Sequence, residues 1–175
     1  MSEKIYVLNE NGEIKGLVSR DKVHTDGLLH AAVQCWVMDE AGSVLIQRRA
    51  ATKDKSAGKW DVSFGGHCTA TDNDENIMLS NVIKEGQEEL GLSLKPEEII
   101  KLGEVRYVSQ SGCNRELLGI FLVRVSHTQS FTFTDGEVSE IKWIKPLELE
   151  QNIRHNPDEY ANRLGALTLL QFYKK

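Results

Sequence analysis

The segment from residue 76 to residue 90 constrains the fold most, because it is the first clear helical pattern along the chain. At about 100° per residue, its apolar side chains share one face of a helix, and Gly91 follows as a stop signal. A second face carries Glu85, Glu88 and Glu89, at the i, i+3 and i+4 spacings of helical neighbours. One face must therefore pack on other elements, while the other presents a cluster of negative charge.

Strand patterns surround this helix on both sides. Apolar runs bounded by turn residues predict strands at 5–8, 14–18, 28–38, 44–48, 60–64, 102–109, 117–125 and 136–143. Asn11-Gly12 is a hairpin signal between the first two strands, and a second helix is predicted at 157–175, capped by Asn156. We predict a single α+β domain over residues 1–175, with a mostly antiparallel or mixed sheet and residues 1–27 as an N-terminal hairpin extension.

Composition excludes several classes of protein. With 40% hydrophobic and 27% charged residues, the 175-residue chain is too apolar for a disordered protein, and its net charge of −5 does not fit a broadly basic nucleic-acid binder. The sequence shows neither a secretory signal nor an apolar run of about 18 residues, so we expect a cytoplasmic protein without a membrane partner. The widely spaced Cys35, Cys68 and Cys113 predict free thiols rather than disulfides.

The mild net charge hides two opposed local charges. Residues 72–98 sum to −6, whereas residues 46–60 sum to +4. Carboxylates are ligands that Mg²⁺ prefers, and Arg and Lys neutralise phosphates, so this separation favours a small anionic substrate bound with Mg²⁺ (or Mn²⁺). The predicted phosphate-binding side chains are Arg48, Arg49, Lys53 and Lys59, with Lys55 in the same loop. For any one of these residues, an ordinary solvated surface charge is as frequent an explanation as phosphate binding.

The acidic helix and the glycines before it form a motif. Gly65-Gly66-His67 precede Lys84-Glu85-Gly86-Gln87-Glu88-Glu89-Leu90-Gly91-Leu92, and this combination resembles the Nudix box. The resemblance implies the Nudix fold, an α/β/α sandwich around a mixed sheet, and metal-dependent chemistry on diphosphates. It also implies that Glu85, Glu88 and Glu89 hold Mg²⁺. The base that activates water is then Glu137 or Glu140, or else Glu88 or Glu89.

The chain departs from the Nudix box in several places. Lys84 replaces an Arg, and Gly86 replaces an aliphatic residue, so we expect another element to pack closely against Gly86. Gly66 precedes Glu85 by 19 residues, four more than in the motif, which places an insertion at 68–75. Glu75 is the candidate for the first glutamate of the box.

Segments outside the box resemble one branch of the family. Residues 24–30, 44–61 and 135–143 look like the branch that contains isopentenyl-diphosphate isomerases and bacterial hydrolases similar to them. The catalytic cysteine of the isomerases falls on Gly65, and Cys68 lies on the wrong side of the next histidine. The isomerases hold a separate metal, and the resemblance implies a second divalent-metal site at His24, His30, His67 and Glu116, with the remaining ligand position on Asn114. The alternative is a histidine framework without metal.

Several functions fit the sequence. The first is a metal-dependent hydrolase that cleaves a diphosphate linkage in a nucleoside- or prenyl-diphosphate-type small molecule. The second is an isopentenyl-diphosphate isomerase, against which the missing cysteine at Gly65 argues. The third is a catalytically weak binding protein that keeps the Nudix fold, which the changed box favours. The edge strands of the N-terminal hairpin also offer a surface for a homodimer.

Overall fold

The structure is a computed structural model that describes residues 3–53, 55–71, 75–133 and 136–173. Within these residues the chain forms nine strands and four α-helices: β1 (Lys4–Leu8), β2 (Ile14–Ser19), α1 (Arg20–Asp26), β3 (Leu29–Met38), β4 (Val44–Arg49), β5 (Trp60–Asp61), β6 (Phe64–His67), α2 (Ile77–Leu90), β7 (Ile100–Val108), β8 (Arg115–Arg124), β9 (Val138–Ile144), α3 (Pro146–His155) and α4 (Leu164–Tyr173). A 3₁₀ turn, Pro96–Glu98, precedes β7.

Strand β3 is the centre of the sheet. It pairs antiparallel with β1, β4 and β6 and parallel with β8, so the sheet is mixed. All 10 of its residues are buried, which explains why its sequence is a nearly continuous apolar run rather than an alternating pattern. The two faces of β3 are covered by helices, α2 on one side and α3 and α4 on the other, which confirms the predicted α/β/α sandwich.

The two faces of β3 contribute to two separate cores. Val33 and Val37 point to the core under α2, whereas Trp36 and Met38 point to the core under α3 and α4, as expected from the alternation of side chains along a strand. The Trp36 indole also donates a hydrogen bond to the Ala166 carbonyl of α4, at 3.2 Å. Trp36 therefore belongs to the core, and its hydrogen bond connects α4 to the sheet.

The predicted N-terminal hairpin is present, with β1 and β2 paired antiparallel. Asn9 Oδ1 accepts hydrogen bonds from the backbone N–H groups of Asn11 and Glu13, each at 2.9 Å, and this pattern closes the turn. Strand β2 lies at the end of the strand order, and Ile14 and Leu17 on it are exposed. Pairing of this edge with a second copy of the chain stays a prediction.

Helix α2 begins and ends almost where the sequence predicts. The Asn76 side chain accepts a hydrogen bond from the Leu79 N–H, and Gly91 ends the helix in the left-handed conformation with φ 67°. The expected close packing at Gly86 is confirmed, because a Cβ there would stand 3.0 Å from Leu94 Cδ1 and 3.2 Å from Phe64 Cζ. Local capping signals therefore set the ends of α2, and Gly86 sets its distance from β6.

The predicted C-terminal helix at 157–175 is wrong at its start. The helix covers Leu164–Tyr173, whereas Asn156, the predicted N-cap, is instead the C-cap of α3, which ends at His155. The backbone before α4 is instead held by β5: the Trp60 N–H donates to the Glu159 carbonyl, and the Ala161 N–H donates to the Trp60 carbonyl, both at 2.8 Å. These contacts override the local helical pattern. Helices α1 and α3 are also absent from the prediction.

The predicted strand at 60–64 is divided into β5 and β6. Between them the Ser63 hydroxyl donates to the Leu45 carbonyl at 2.6 Å and accepts from the Val37 N–H at 2.7 Å. Ser63 is fully buried. Its two bonds therefore satisfy the Val37 N–H and the Leu45 carbonyl at the point where hydrogen bonding between the strands is interrupted. The division lets β5 pair with β4 while β6 pairs with β3.

A buried ion pair joins the C-terminal segment to β5. Arg163 donates from Nε to Asp61 Oδ1 at 2.6 Å and from Nη2 to Asp61 Oδ2 at 2.8 Å. Burial by itself raises the pKa of Asp61, but the charge of Arg163 and its hydrogen bonds hold that pKa below its ordinary value. Asp61 is therefore ionised, and the pair links residues that are far apart in sequence.

The described part of the chain contains no helix that is both long and apolar enough to cross a membrane. Cys35, Cys68 and Cys113 are free thiols, and the first two are buried, in agreement with the expectation from their spacing. The insertion predicted at 68–75 is described only in part, since residues 72–74 lie outside the described ranges. Thr69, at its start, is held by the buried Asn81 of α2, whose Oδ1 accepts from the Thr69 N–H at 3.0 Å.

Gly86→Leu should destabilise the fold, because the larger side chain would push α2 away from Phe64 and Leu94. Overpacking of this kind costs about 1–3 kcal/mol, which urea unfolding followed by circular dichroism would measure. Gln87→Leu is the matched control, since Gln87 is the next residue of the same helix and is exposed. Equal stability of the two variants would contradict the tight contact.

Asp61→Asn should lower the free energy of unfolding by about 3 kcal/mol near pH 7, because it leaves the Arg163 guanidinium buried without its partner. The folded-state pKa of Asp61 is lowered, so its contribution is complete above the unfolded value of about 3.9 and is lost as the pH falls through the lower folded value. The difference between wild type and variant, measured by urea unfolding, should therefore shrink below about pH 4.

The control for this pair is Asp26→Asn, which removes an exposed partner of Lys22. An exposed pair contributes little, so we expect a change below about 1 kcal/mol. If Asp61→Asn changes stability no more than Asp26→Asn does, the buried pair is not a stabilising contact.

Candidate functional site

One cavity brings Glu85, Glu88 and Glu137 together with His67 and Glu116 of the predicted histidine site. Its volume is about 620 Å³, and Gly65, Gly66 and His67 of β6 form part of its wall. Successive residues of a strand point to opposite faces, so Gly66 faces α2 and His67 faces the other side of β6. The charged residues that line the cavity are Glu3, Arg20, Arg49, Lys53, Lys55, Asp61, Lys84, Glu85, Glu88, Glu116, Glu137 and Arg163.

The absence of a side chain at Gly66 lets Glu85 of α2 reach the strand. A Cβ at this position would stand 2.5 Å from Glu85 Oε2, so the carboxylate occupies the space of a side chain. Burial raises the pKa of Glu85 above its ordinary value, against the opposing charge of Lys84. An ionised Glu85 therefore needs positive charge close by.

Glu89 lies deeper than Glu85, between α2 and the sheet. Its Oε1 accepts from the Gly65 N–H at 3.2 Å, and the Gln47 amide donates to its Oε2. Burial, followed by the negative charge of Glu85, raises the pKa of Glu89 to about 8. The two hydrogen bonds orient Glu89, but they leave much of its charge without compensation.

Lys84 partly neutralises this acidic cluster. Its Nζ lies 3.0 Å from Glu85 Oε1 and 3.0 Å from Glu88 Oε2. Burial opposes the positive charge of Lys84, but the charge of Glu85 and the hydrogen bonds to both glutamates raise the pKa of the amine. Lys84, which stands where the Nudix box has an Arg, is thus a fixed cation against Glu85 and Glu88.

The carboxylates on this side of β6 suit a hard divalent cation. The negative charge of Glu85 raises the pKa of Glu89, and that of Glu88 raises the pKa of Glu85, so the group repels itself. A cation among them would relieve this repulsion, and Mg²⁺ prefers such carboxylate oxygens, usually a few of them together with water and phosphate. The residues present therefore fit the metal that the motif implies.

Two of the predicted phosphate-binding residues, Arg49 and Lys53, line the cavity. Lys53 forms an ion pair with Glu137 of the neighbouring segment, and the Glu137 carbonyl accepts from the Ala50 N–H at 2.8 Å. Glu137 acts on the pKa values of both Glu85 and Glu89. The structure thus places Glu137, one of the candidate bases, in the same cavity as the acidic helix.

The other two predicted phosphate-binding residues do not line the cavity. Arg48 Nε donates to the Gly58 carbonyl at 3.0 Å, and its Nη1 lies 3.5 Å from Glu140. Lys59 Nζ donates to the Pro157 carbonyl at 2.7 Å. Arg48 alternates with Arg49 along β4 and so points to the opposite face. Arg48 and Lys59 therefore lie outside the cavity, and phosphate binding by these two residues stays a prediction.

The three predicted histidines meet on the far side of β6. His24 comes from α1, His30 from β3 and His67 from β6, and a nitrogen atom of each lies within 4.8 Å of the others. Glu116 of β8 completes the group, with Oε1 3.8 Å from Nε2 of both His30 and His67. The side chain of Asn114 donates to the same oxygen at 2.9 Å. We name His24, His30, His67 and Glu116 the histidine cluster.

The histidine cluster contains ring nitrogens that have no hydrogen-bond partner among the described residues. His30 Nδ1 lies 2.9 Å from the Leu28 carbonyl, to which it donates, so Nε2 carries the lone pair. That atom and both ring nitrogens of His24 are buried without a hydrogen-bond partner among the described residues. Burial, followed by the neighbouring His30 ring, lowers the pKa of His67, which keeps the His67 ring neutral. Unpaired imidazole nitrogens beside a carboxylate fit a transition metal such as Zn²⁺.

The structure shows why a cysteine side chain does not fit at position 65. A Cβ at Gly65, the position of the isomerase cysteine, would stand 2.3 Å from the Val33 carbonyl oxygen. Cys68 cannot replace it, because its side chain is fully buried in the core under α2. Burial and the negative charge of Glu85 raise the pKa of this thiol to about 12.

Three residues of the site were not predicted from the sequence. Gln47 orients Glu89, while Arg20 and Arg163 line the cavity. Gln47 and Arg49 are two residues apart and therefore share a face of β4, a pattern that could have indicated Gln47. Arg163 carries no such signal, because its place depends on the distant Asp61.

Comparisons with known proteins agree with this geometry. The model of the NUDIX domain matches residues 28–164. The isopentenyl-diphosphate Delta-isomerase of Clavibacter sepedonicus is 33% identical over 160 residues, which cover 89% of this chain and 80% of that protein. The uncharacterized Nudix hydrolase YfcD of Escherichia coli K12 is 31% identical over 169 residues, covering 96% of this chain and 86% of that protein.

A solved structure shows the same fold. The crystal structure of DR0079 from Deinococcus radiodurans superposes with a TM-score of 0.72 and 21% sequence identity, over 98% of this chain and 99% of that one. The likeness extends along nearly the whole of both chains, including the N-terminal hairpin and the C-terminal helices.

The histidine cluster should bind one Co²⁺, used as a spectroscopic probe, with visible absorption bands and a measurable affinity in calorimetry. His67→Asn removes a nitrogen ligand and should weaken binding by more than the roughly 10–100-fold that loss of an outer-shell partner costs. Affinity should also fall as the pH is lowered, because protons compete for the imidazoles.

The control is His155→Asn, since His155 is exposed at the end of α3 and lies outside the histidine cluster. Unchanged Co²⁺ affinity in His67→Asn would show that the histidines form a hydrogen-bonded framework rather than a metal site.

Proposed function

This chain belongs to the Nudix family, and on that basis we propose that it is a Mg²⁺-dependent hydrolase of a small-molecule diphosphate. One observation carries the proposal: Glu85, Glu88 and Glu137 line the same cavity as Arg49 and Lys53. A cation at the carboxylates and phosphates at the basic residues would satisfy both groups. The free thiols favour a reducing cytoplasm as its location.

The proposed reaction is attack by water on one phosphorus of the diphosphate. The water oxygen bonds to that phosphorus, the bond from the same phosphorus to the bridging oxygen breaks, and the released proton passes to a carboxylate. Mg²⁺ held at this site would polarise the phosphorus centre and lower the pKa of the water. Glu85, Glu88 and Glu89 would hold the metal, and Arg49 and Lys53 would neutralise the phosphate oxygens.

Glu137 and Glu88 are the most accessible candidates for the proton acceptor. Both line the cavity, whereas Glu89 is 1% exposed and each of its oxygens already accepts a hydrogen bond. Glu137 is paired with Lys53, and Glu88 with Lys84, so a substrate phosphate that attracts either lysine would free the corresponding carboxylate. Comparison of Glu137→Gln with Glu88→Gln would separate the two roles.

The histidine cluster supports a second metal ion in the same cavity. His67 and Glu116 line the cavity, so an ion held by the cluster would lie next to bound substrate. Neutral nitrogen donors with one carboxylate favour a transition metal over Mg²⁺. We propose that this ion helps to position the substrate, since β6 carries Gly66 toward one group of ligands and His67 toward the other.

The isomerase alternative rests on the histidine cluster, which is the feature that the isomerase branch implies. Against it stands Gly65, where the nearby Val33 carbonyl leaves no room for a cysteine side chain. Isomerisation requires a group that adds or removes a proton at carbon, and no thiol of the described residues lines the cavity. Conversion of isopentenyl diphosphate to its isomer without phosphate release would nevertheless reverse this ranking.

With Mg²⁺, the purified protein should release phosphate or a phosphate monoester from at least one diphosphate in a panel of nucleotide, sugar and prenyl diphosphates. Glu89→Gln should lower kcat by about 10²-fold or more, comparable to the loss of one group that stabilises transition-state charge. Glu97→Gln should keep the wild-type rate, because Glu97 is exposed and lies outside the cavity.

Turnover at the wild-type rate in Glu89→Gln would refute the metal assignment. Tight binding of one diphosphate without any turnover would instead favour the catalytically weak binding protein.

A further inference from the structure

The wall of the cavity is mainly polar. Among the described residues that line it, none is Phe, Tyr or Trp. Its larger apolar side chains, Val33, Val62 and Leu118, are 1%, 3% and 6% exposed, so they present little surface to a ligand. A nucleobase would find no ring on which to stack, and a prenyl chain would find little apolar area to cover.

Three further cations line the cavity besides Arg49, Lys53 and Lys84. Arg20, Lys55 and Arg163 line the cavity, and we name them the distal cations. A second cavity is lined by His24 together with Arg20 and Lys55, which places these two distal cations beside the histidine cluster. Arg20 and Lys55 therefore lie toward the side of β6 that carries the histidine cluster.

Arg163 is held ready to bind an anion. Its Nε and Nη2 donate to Asp61, which fixes the plane of the guanidinium and leaves Nη1 for a ligand. Arginine is well suited to phosphate because its N–H groups can bind two oxygens at once. An anchored Arg beside another Arg and a Lys is a combination that suits a phosphate with several negative oxygens.

We propose that the substrate carries a second phosphate, bound by Arg20, Lys55 and Arg163, while its diphosphate lies against Glu85, Glu88, Arg49 and Lys53. The substrate class is then a phosphorylated sugar or polyol diphosphate, rather than a nucleoside or prenyl diphosphate. This inference rests on the proposed hydrolase function and names its substrate. With such a substrate, the distal cations bind the second phosphate while Arg49 and Lys53 bind the diphosphate.

The test compares two probes that differ in a single phosphate: 5-phosphoribose 1-diphosphate and ribose 1-diphosphate. With Mg²⁺, kcat/KM should be at least about 10-fold higher for the phosphorylated probe, the ratio expected from about 1.4 kcal/mol of extra binding. The kcat/KM values of ADP and isopentenyl diphosphate should be equal to or lower than that of ribose 1-diphosphate. Equal kcat/KM for the two ribose compounds would overturn the inference and leave the proposed hydrolase intact.

Lys55→Gln tests the distal cations directly. It should reduce the selectivity ratio between the two ribose probes toward 1, whereas Lys15→Gln, an exposed lysine on β2, should leave the ratio and the rate unchanged. A ratio that Lys55→Gln does not alter would contradict the assignment. Circular dichroism of both variants checks that each is folded.

If no probe is hydrolysed, the proposed function fails and calorimetry decides the inference separately. In the presence of Mg²⁺, the phosphorylated probe should still bind at least about 10-fold more tightly than ribose 1-diphosphate, and Lys55→Gln should reduce that difference. Equal affinities for the two probes, or tighter binding of ADP, would overturn the inference.

Discussion

The burial of two like charges, Glu85 and Glu89, between helix α2 and strand β6 is the constraint on which the site depends. Removing a carboxylate from water costs several kcal/mol unless partners replace the solvent. Gln47, Lys84 and the Gly65 N–H supply part of that replacement, and the charge that remains calls for a cation. The same burial explains the glycines: side chains at Gly66 or Gly86 would separate the helix from the strand.

Strand β6 connects the two candidate centres because adjacent residues of a strand face opposite ways. Gly66 accommodates Glu85 on one side, and His67 joins the histidine cluster on the other. The N-terminal extension completes this second centre, since His24 and Arg20 both belong to α1, directly after the hairpin. What looks like an appendage in the sequence is therefore part of the cavity, and a bound substrate would contact both faces of β6.

Prediction succeeded where the signals were local and failed where they were not. Helix α2 was predicted to within a residue, because Asn76 and Gly91 set its ends through contacts with their immediate neighbours. The C-terminal helix was placed too early, because residues 159–161 pair with Trp60, about 100 positions earlier, and stay extended. Of the predicted phosphate-binding residues, Arg49 and Lys53 line the cavity and Arg48 and Lys59 do not. The sequence could not separate them, because a run of basic residues does not show toward which face of the sheet each side chain points.

The sequence by itself determined the acidic face of the helix, the glycines before it, the histidine and glutamate positions of the second group, and the mixed α+β class. The acidic face and the glycines follow from residue type and from spacing within one segment, whereas the histidine and glutamate positions of the second group were implied by the resemblance to the isomerase branch. Only the tertiary structure decided that Gln47 orients Glu89, that Arg49 rather than Arg48 reaches the cavity, and that Arg163 joins it through Asp61, 102 residues away. The physical reason is that such contacts depend on how strands pair and alternate, and this is settled by packing between segments that are distant in the chain.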